Sequence, residues 1–141
     1  MPSITATPDA NIALMQSAFA ALNRKDLDTC VSLLAPNFII NLAGMPAAMH
    51  GADSWRGNVE MMTQAFGDLQ IHVEDIFAAG DRVAVRARLT GTHTGEFLGH
   101  AATGSPVDYV SNELYRIADG RIAEEWICSD TLTLMRQIGA T

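Results

Sequence analysis

The feature that most constrains this chain is a change of hydrophobic period at Leu69. Before it, apolar residues recur every three to four positions: Ile12, Met15, Phe19 and Leu22 form one stripe, and Trp55, Val59, Met62 and Phe66 form another. After it, apolar and polar residues alternate over residues 71–79, 82–90, 107–117 and 121–129. The first pair of runs flanks Gly80 and Asp81, the second Asp119 and Gly120, and both dipeptides are turn formers. Helices first and a meander of strands afterwards predict an α+β fold, with the helices on one face of a curved, mainly antiparallel sheet.

Local signals place the elements. Thr7, Pro8 and Asp9 read as a helix start, with threonine as the cap, proline in the first turn and an acid beside the positive end of the helix dipole. That helix is predicted to end near Asn23. A second helix is expected from Asp26, turning Leu27, Cys30, Val31 and Leu34 inward, with Pro36 ending it. Residues 38–41 read as a short β segment, 43–51 as a loop, and 131–138 as a closing helix. In the second long strand Val83, Val85, Ala87 and Leu89 share the face expected under the helices. Arg86, Arg88 and Thr90 then point outward, to solvent or a subunit interface.

A length of 141 residues fits one domain, 1–141, with 1–7 expected to be flexible. The net charge of −7, with nine Lys and Arg in no run, argues against nucleic-acid binding. No apolar stretch approaches the roughly 20 residues that span a bilayer, so no membrane partner is expected. Met1 to Thr7 lack the pattern of a signal peptide. Cys30 and Cys128 have no CxxC spacing, which disfavours zinc. Free buried thiols in a reducing cytoplasm are expected, although one disulfide is compatible with the sequence. His50 and His72 have no partner at metal-ligand spacing, so no metal site is predicted.

The second hairpin raises the chemical question, because its strands carry Glu113 and Glu125. A two-residue turn at Asp119 and Gly120 would set Glu113 opposite Trp126. A three-residue turn with a glycine bulge would set Glu113 opposite Glu125. Two facing carboxylates repel, so one would hold its proton near neutral pH or share a cation or ligand. A carboxyl held protonated is an acid/base candidate.

Several segments resemble the SnoaL-like family of polyketide cyclases, in the nuclear-transport-factor-like (cystatin-like) α+β superfamily. They are Asn23-Arg-Lys-Asp-Leu-Asp28, Val83-Ala-Val-Arg86, Gly91-Thr-His-Thr-Gly-Glu-Phe-Leu-Gly99, and Tyr115-Arg-Ile-Ala-Asp-Gly-Arg-Ile122 leading to Trp126 and Asp130. The resemblance implies a cone, with helices on the concave side of a strongly bent sheet enclosing an apolar cavity. It also implies a homodimer through the sheet's outer side, and an aldol-type cyclisation needing no cofactor. The family's acid/base histidine and aspartate fall by position at Glu113 and Ile127, and a further histidine of many relatives falls at Glu125. The family pattern therefore favours the bulged register, with Tyr109, Ser111, Glu113, Glu125, Ile127 and Ser129 on one cavity-facing row.

From these positions, Glu113, Glu125 and Asp130 are the candidate catalytic residues, with Asp130 alternatively capping the last helix. Asn41, Trp55, Met62, His93, Tyr109 and Ile127 are the candidate substrate-binding residues. His93 could bond a substrate carbonyl or secure its own turn, and Trp55 and Met62 serve equally as core. The expected partner is a hydrophobic small molecule, polyketide-like or polycyclic, and the expected chemistry is cyclisation or isomerisation by proton transfer. Alternatives are a tailoring protein that assists hydroxylation, and a non-catalytic binding or dimerisation module.

Overall fold

The structure, a computed structural model, describes residues 7–141. The expectation of a flexible start at residues 1–6 lies outside them. Thr7 is the N-cap of α1 (Pro8–Asn23), its hydroxyl accepting from the Ala10 N–H at 3.1 Å. Then follow α2 (Leu27–Ser32), β1 (Leu34–Leu42), β2 (Met49–His50), α3 (Ala52–Ala65), β3 (Gln70–Ala79), β4 (Arg82–Thr92), β5 (Pro106–Ala118), β6 (Arg121–Ser129) and α4 (Thr131–Gln137). The strands form one curved six-stranded sheet in the order β2-β1-β6-β5-β4-β3. The α+β prediction holds: α1 packs on β3 and β4, and α3 on β1, so the helices cover one face.

The core lies between these layers. Met15 and Phe19 of α1 meet Phe38 and Ile40 of β1 and Val83, Val85 and Ala87 of β4, all buried, while Arg86 and Arg88 are exposed on the other face. Asn23 fixes the end of α1 to the edge strand. Its amide accepts from the Ile71 N–H and donates to the Ile71 carbonyl, both at 2.8 Å, copying the pairing of a neighbouring strand.

The second helix is shorter than predicted. It ends at Ser32, and Leu34 already pairs with Ile122 of β6. Pro36 does not end the helix but lies within β1, in the irregular stretch between Leu34 and Ile39 where proline's missing N–H breaks no ladder bond. The short β segment expected at 38–41 is the centre of a nine-residue strand that runs parallel to β6.

The β5–β6 hairpin follows neither predicted register throughout. Asp119 (φ 52°) and Gly120 (φ 72°) are both left-handed, the geometry of a two-residue turn whose twist matches its strands, and Ala118 pairs with Arg121. The pairing then shifts by one, since Ile117 pairs with Ile122 but Arg116 pairs with Glu124. Ala123 is the extra residue of a bulge. Beyond it Tyr115 faces Glu125 and Glu113 faces Ile127. The bulge thus sits in the strand rather than in the turn. Glu113 and Glu125 share a face as diagonal neighbours, not as a direct pair.

Candidate active site

The site is built on the helix-covered face of β5 and β6. Strand alternation turns Tyr109, Ser111, Glu113 and Tyr115 of β5 to that face, and the bulge brings Glu125 and Ile127 of β6 beside them. Above them the helices leave a cavity of about 150 Å³. Leu22, Trp55, Val59, Met62, Ile71 and Leu89 make it apolar, and Asn23, Lys25, Asn58, Thr63 and Glu125 supply its polar atoms. A smaller chamber of about 50 Å³ lies against Phe19, Cys30, Phe38 and Tyr115. Trp55, Leu22 and Glu125 border both chambers, so the Glu125 carboxyl stands where they meet.

The electrostatics separate the two glutamates. Glu125 is 8% exposed, has no hydrogen-bond donor among the described residues, and has its pKa pushed up to about 8 by burial and by the charge of Glu113. Burial also raises the Glu113 pKa, but hydrogen bonds from Tyr115 and Ser111 favour its ionised form. The Tyr115 hydroxyl donates to Glu113 Oε1. Burial first, and then the Glu113 charge, raise the phenol pKa values of Tyr109 and Tyr115, so both hydroxyls keep their protons. The arrangement places at the cavity a carboxyl that burial keeps protonated at neutral pH, and beside it a second carboxyl whose burial is countered in part by the hydrogen bond from Tyr115.

The other predicted residues divide. Trp55 and Met62 line the cavity. Tyr109 is buried on the same face, and Ile127 stands across from Glu113, but neither borders the two chambers. Asn41, expected in the cavity wall, is on the outer face because it pairs with Trp126. Its amide donates to Glu124 Oε2 and to the Glu125 carbonyl, each at 3.0 Å. Asp130 lies outside the cavity and caps α4, accepting from the Thr133 N–H at 3.1 Å and the Thr133 hydroxyl at 2.6 Å. His93 is fully buried away from both chambers. Its Nδ1 bonds Thr103 Oγ1 at 2.9 Å, and its backbone exchanges bonds with Gly104 and Ser105, so it fastens the loop between β4 and β5. That loop presses on α3. A Cβ on Gly95 would stand 2.1 Å from the Gln64 carbonyl oxygen, a contact only glycine permits.

Tyr115 and Lys25 escaped the sequence reading, as did the cavity's Asn23, Asn58 and Thr63. Tyr115 has a signal, since it stands two places from Glu113 on the same strand and hence on the same face. Lys25, at the rim, has φ 61° and donates from Nζ to the Leu69 carbonyl at 2.7 Å, a placement no local pattern announces. A hollow of about 370 Å³ is larger than the cavity and more open, bordered by Asn41, Asn112, Leu114, Trp126 and Cys128 and also by Glu113 and Ile127; Glu113 borders this hollow and neither chamber, whereas Glu125 borders both chambers. Among the described residues no three His, Cys, Asp or Glu side chains gather as a metal site requires; both cysteines are free thiols, Cys30 buried as expected but Cys128 exposed. No described helix is long and apolar enough to cross a membrane.

Fold and cavity together define a hollow α+β cone of the nuclear-transport-factor-like kind. The chain belongs to the SnoaL-like polyketide cyclase family, whose model matches residues 13–138. It is 31% identical over 93 residues to aklanonic acid methyl ester cyclase DnrD of Streptomyces peucetius, a match covering 64% of this chain and 63% of that protein. Among solved structures it resembles AclR, a candidate hydroxylase from Streptomyces galilaeus, at 32% identity and a TM-score of 0.87, covering 96% of this chain and 99% of that one. It also resembles IdmH, a candidate polyketide cyclase from Streptomyces antibioticus, at 33% identity and a TM-score of 0.81, covering 92% and 98%.

Proposed function

We propose that this protein is an enzyme of polyketide biosynthesis that closes or isomerises a hydrophobic, polyketide-like carbonyl compound by acid/base catalysis without a cofactor. The observation that carries the reading is the Glu125 carboxyl, protonated at neutral pH, between two apolar chambers and beside a second carboxylate. Glu113 takes a proton from the carbon next to a substrate carbonyl, and the resulting enolate attacks a second carbonyl. Glu125 gives its proton to the new alkoxide. Return of the proton from Glu113 to Glu125 restores the site, and the net reaction adds and removes no atoms. Enclosure in the cone contributes orientation and keeps water from the enolate. Trp55 and Met62 form the ring-binding wall.

Glu113→Gln and Glu125→Gln, assayed separately for turnover and for ligand affinity, test the assignment. Both are expected to retain binding and lose turnover, and turnover intact in both refutes it. The likeness to AclR favours a second reading, a tailoring role in hydroxylation, which dependence of turnover on oxygen or flavin would support. Binding without conversion across a panel of carbonyl compounds would instead support a binding module.

The protein acts as a homodimer in the cytoplasm on this reading. Support for the dimer is an apolar row across the outer face, in which Phe77, Ala84, Leu114 and Trp126 are successive partners and Phe77 is 62% exposed.

A further inference from the structure

A buried carboxyl and a half-buried one of the same residue type need something to make them unequal before one can serve as base and the other as acid. On this face the asymmetry has a visible source. Tyr115 stands two residues from Glu113 along β5 and directly opposite Glu125 on β6, so it is next to both. Its hydroxyl donates to Glu113 Oε1 alone. The ring is held from the other side by Phe19 of α1, with centroids 6.1 Å apart and planes at 84°, and Tyr115 is 5% exposed. That packing limits the ring's freedom to turn its hydroxyl toward Glu125.

We propose that Tyr115 is the positioning residue of this site, fixing which glutamate is the base by stabilising the carboxylate of Glu113 and withholding the same bond from Glu125. The inference rests on the acid/base reading above and adds a residue to it. A hydrogen bond to a charged group is stronger than one between neutral groups, enough to order two otherwise similar carboxyls. Among the described residues no side chain outside β5 is bonded to either carboxyl, although Asn58 and Thr63 of α3 line the cavity with Glu125 and Cys30 of α2 borders the smaller chamber. β4 presents Val83 and Val85 to this row, β1 presents Ile40 and Leu42, and α1 presents Met15 and Phe19. The remaining polar groups on the face are the Tyr109 phenol, Ser111 and Ser129, whose hydroxyls bond each other at 2.9 Å, and Lys25 at the cavity rim. Ser111 is thus engaged with Ser129, while Tyr115 commits its hydroxyl to Glu113.

Tyr115→Phe removes the hydroxyl and keeps the ring against Phe19. The two carboxyls can be followed without a substrate, by carbon NMR titration of glutamate-labelled protein with Glu113→Gln and Glu125→Gln spectra as assignments. In Tyr115→Phe the Glu113 midpoint is expected to rise by about one pH unit, as the lost bond no longer favours ionisation. The Glu125 midpoint is expected to fall, because a less ionised Glu113 repels its carboxylate less. Opposite movements are the signature, since mere loosening would admit water and lower both. Movement of both midpoints in one direction, or of neither, overturns the proposal. The acid limb of the turnover profile should shift upward with the Glu113 midpoint. If the Glu→Gln variants keep full turnover while the midpoints still move oppositely, the catalytic reading fails and the role of Tyr115 stands. If they lose turnover and the midpoints move together, the reverse holds.

Discussion

Glu124 and Glu125 are neighbours in the chain and face opposite sides of one sheet. Glu124, on the outer side, accepts from the Arg116 guanidinium at 3.1 Å and from the Asn41 amide at 3.0 Å. Glu125, on the inner side, has no cation and no donor among the described residues, and burial, with the Glu113 charge, holds it protonated with a pKa of about 8. Composition and local sequence hardly distinguish them. The difference teaches that a carboxylate's surroundings, set here by strand parity, decide whether it fastens two strands or stores a transferable proton. A fold that only needed stability would place leucine at 125.

Turnover gives the sharpest contrast. Glu125→Gln is expected to lower kcat/KM by at least about 100-fold, the usual scale of a lost general acid or base, while Glu124→Gln leaves it within about twofold. Equal losses in the two would break the comparison. The next effect is on stability. A carboxyl whose folded pKa lies above its unfolded value holds a proton that the unfolded chain has released, so stability falls as pH rises between the ordinary value of 4.5 and about 8. Glu125→Gln should remove that fall and stabilise the protein at pH 8 by on the order of a few kcal/mol, as read from urea midpoints across the range. The raised Glu113 pKa adds a slope of the same sign.

Smaller effects belong to carboxylates with partners. Glu124→Gln should cost about 1 kcal/mol, because the ion pair with Arg116 is only partly covered. Asp130→Ala removes an exposed cap and should lower Tm by a few degrees at most with turnover unchanged, as thermal melts and steady-state rates would show. A large loss of turnover in Asp130→Ala would return that residue to the site.

Much of the frame was legible because its signals are local. The threonine cap, the two helical stripes, the faces of β4 and the Asp119 and Gly120 turn all follow from side-chain periodicity and backbone preference within a few residues. What escaped depends on partners far away in sequence. Leu34 and Pro36 read as the end of a helix because their extended conformation is held by parallel pairing with β6. Asn41 was assigned to the wrong side because that same pairing sets its face. The bulge at Ala123 left no trace, since alanine has no special backbone preference, and it was inferred in the turn, where glycine suggested it. The shared face of Glu113 and Glu125 was nonetheless foreseen, because one extra residue has the same effect on parity in the turn or in the strand. Tyr115 is legible by parity alone, two places from Glu113 on the same strand, but its bond to that carboxyl depends on the packing of α1 against its ring.

The bulge also bears on how relatives are compared. Removing Ala123 would leave Arg116 against Glu124 and Tyr115 against Glu125, so a gain or loss of one residue there is silent at the ligand. Two members of such a lineage can differ by one in the count from turn to tryptophan and still present a carboxyl at the same point in space. Column by column, an alignment would score that carboxyl as lost in one of them, although only its address had changed.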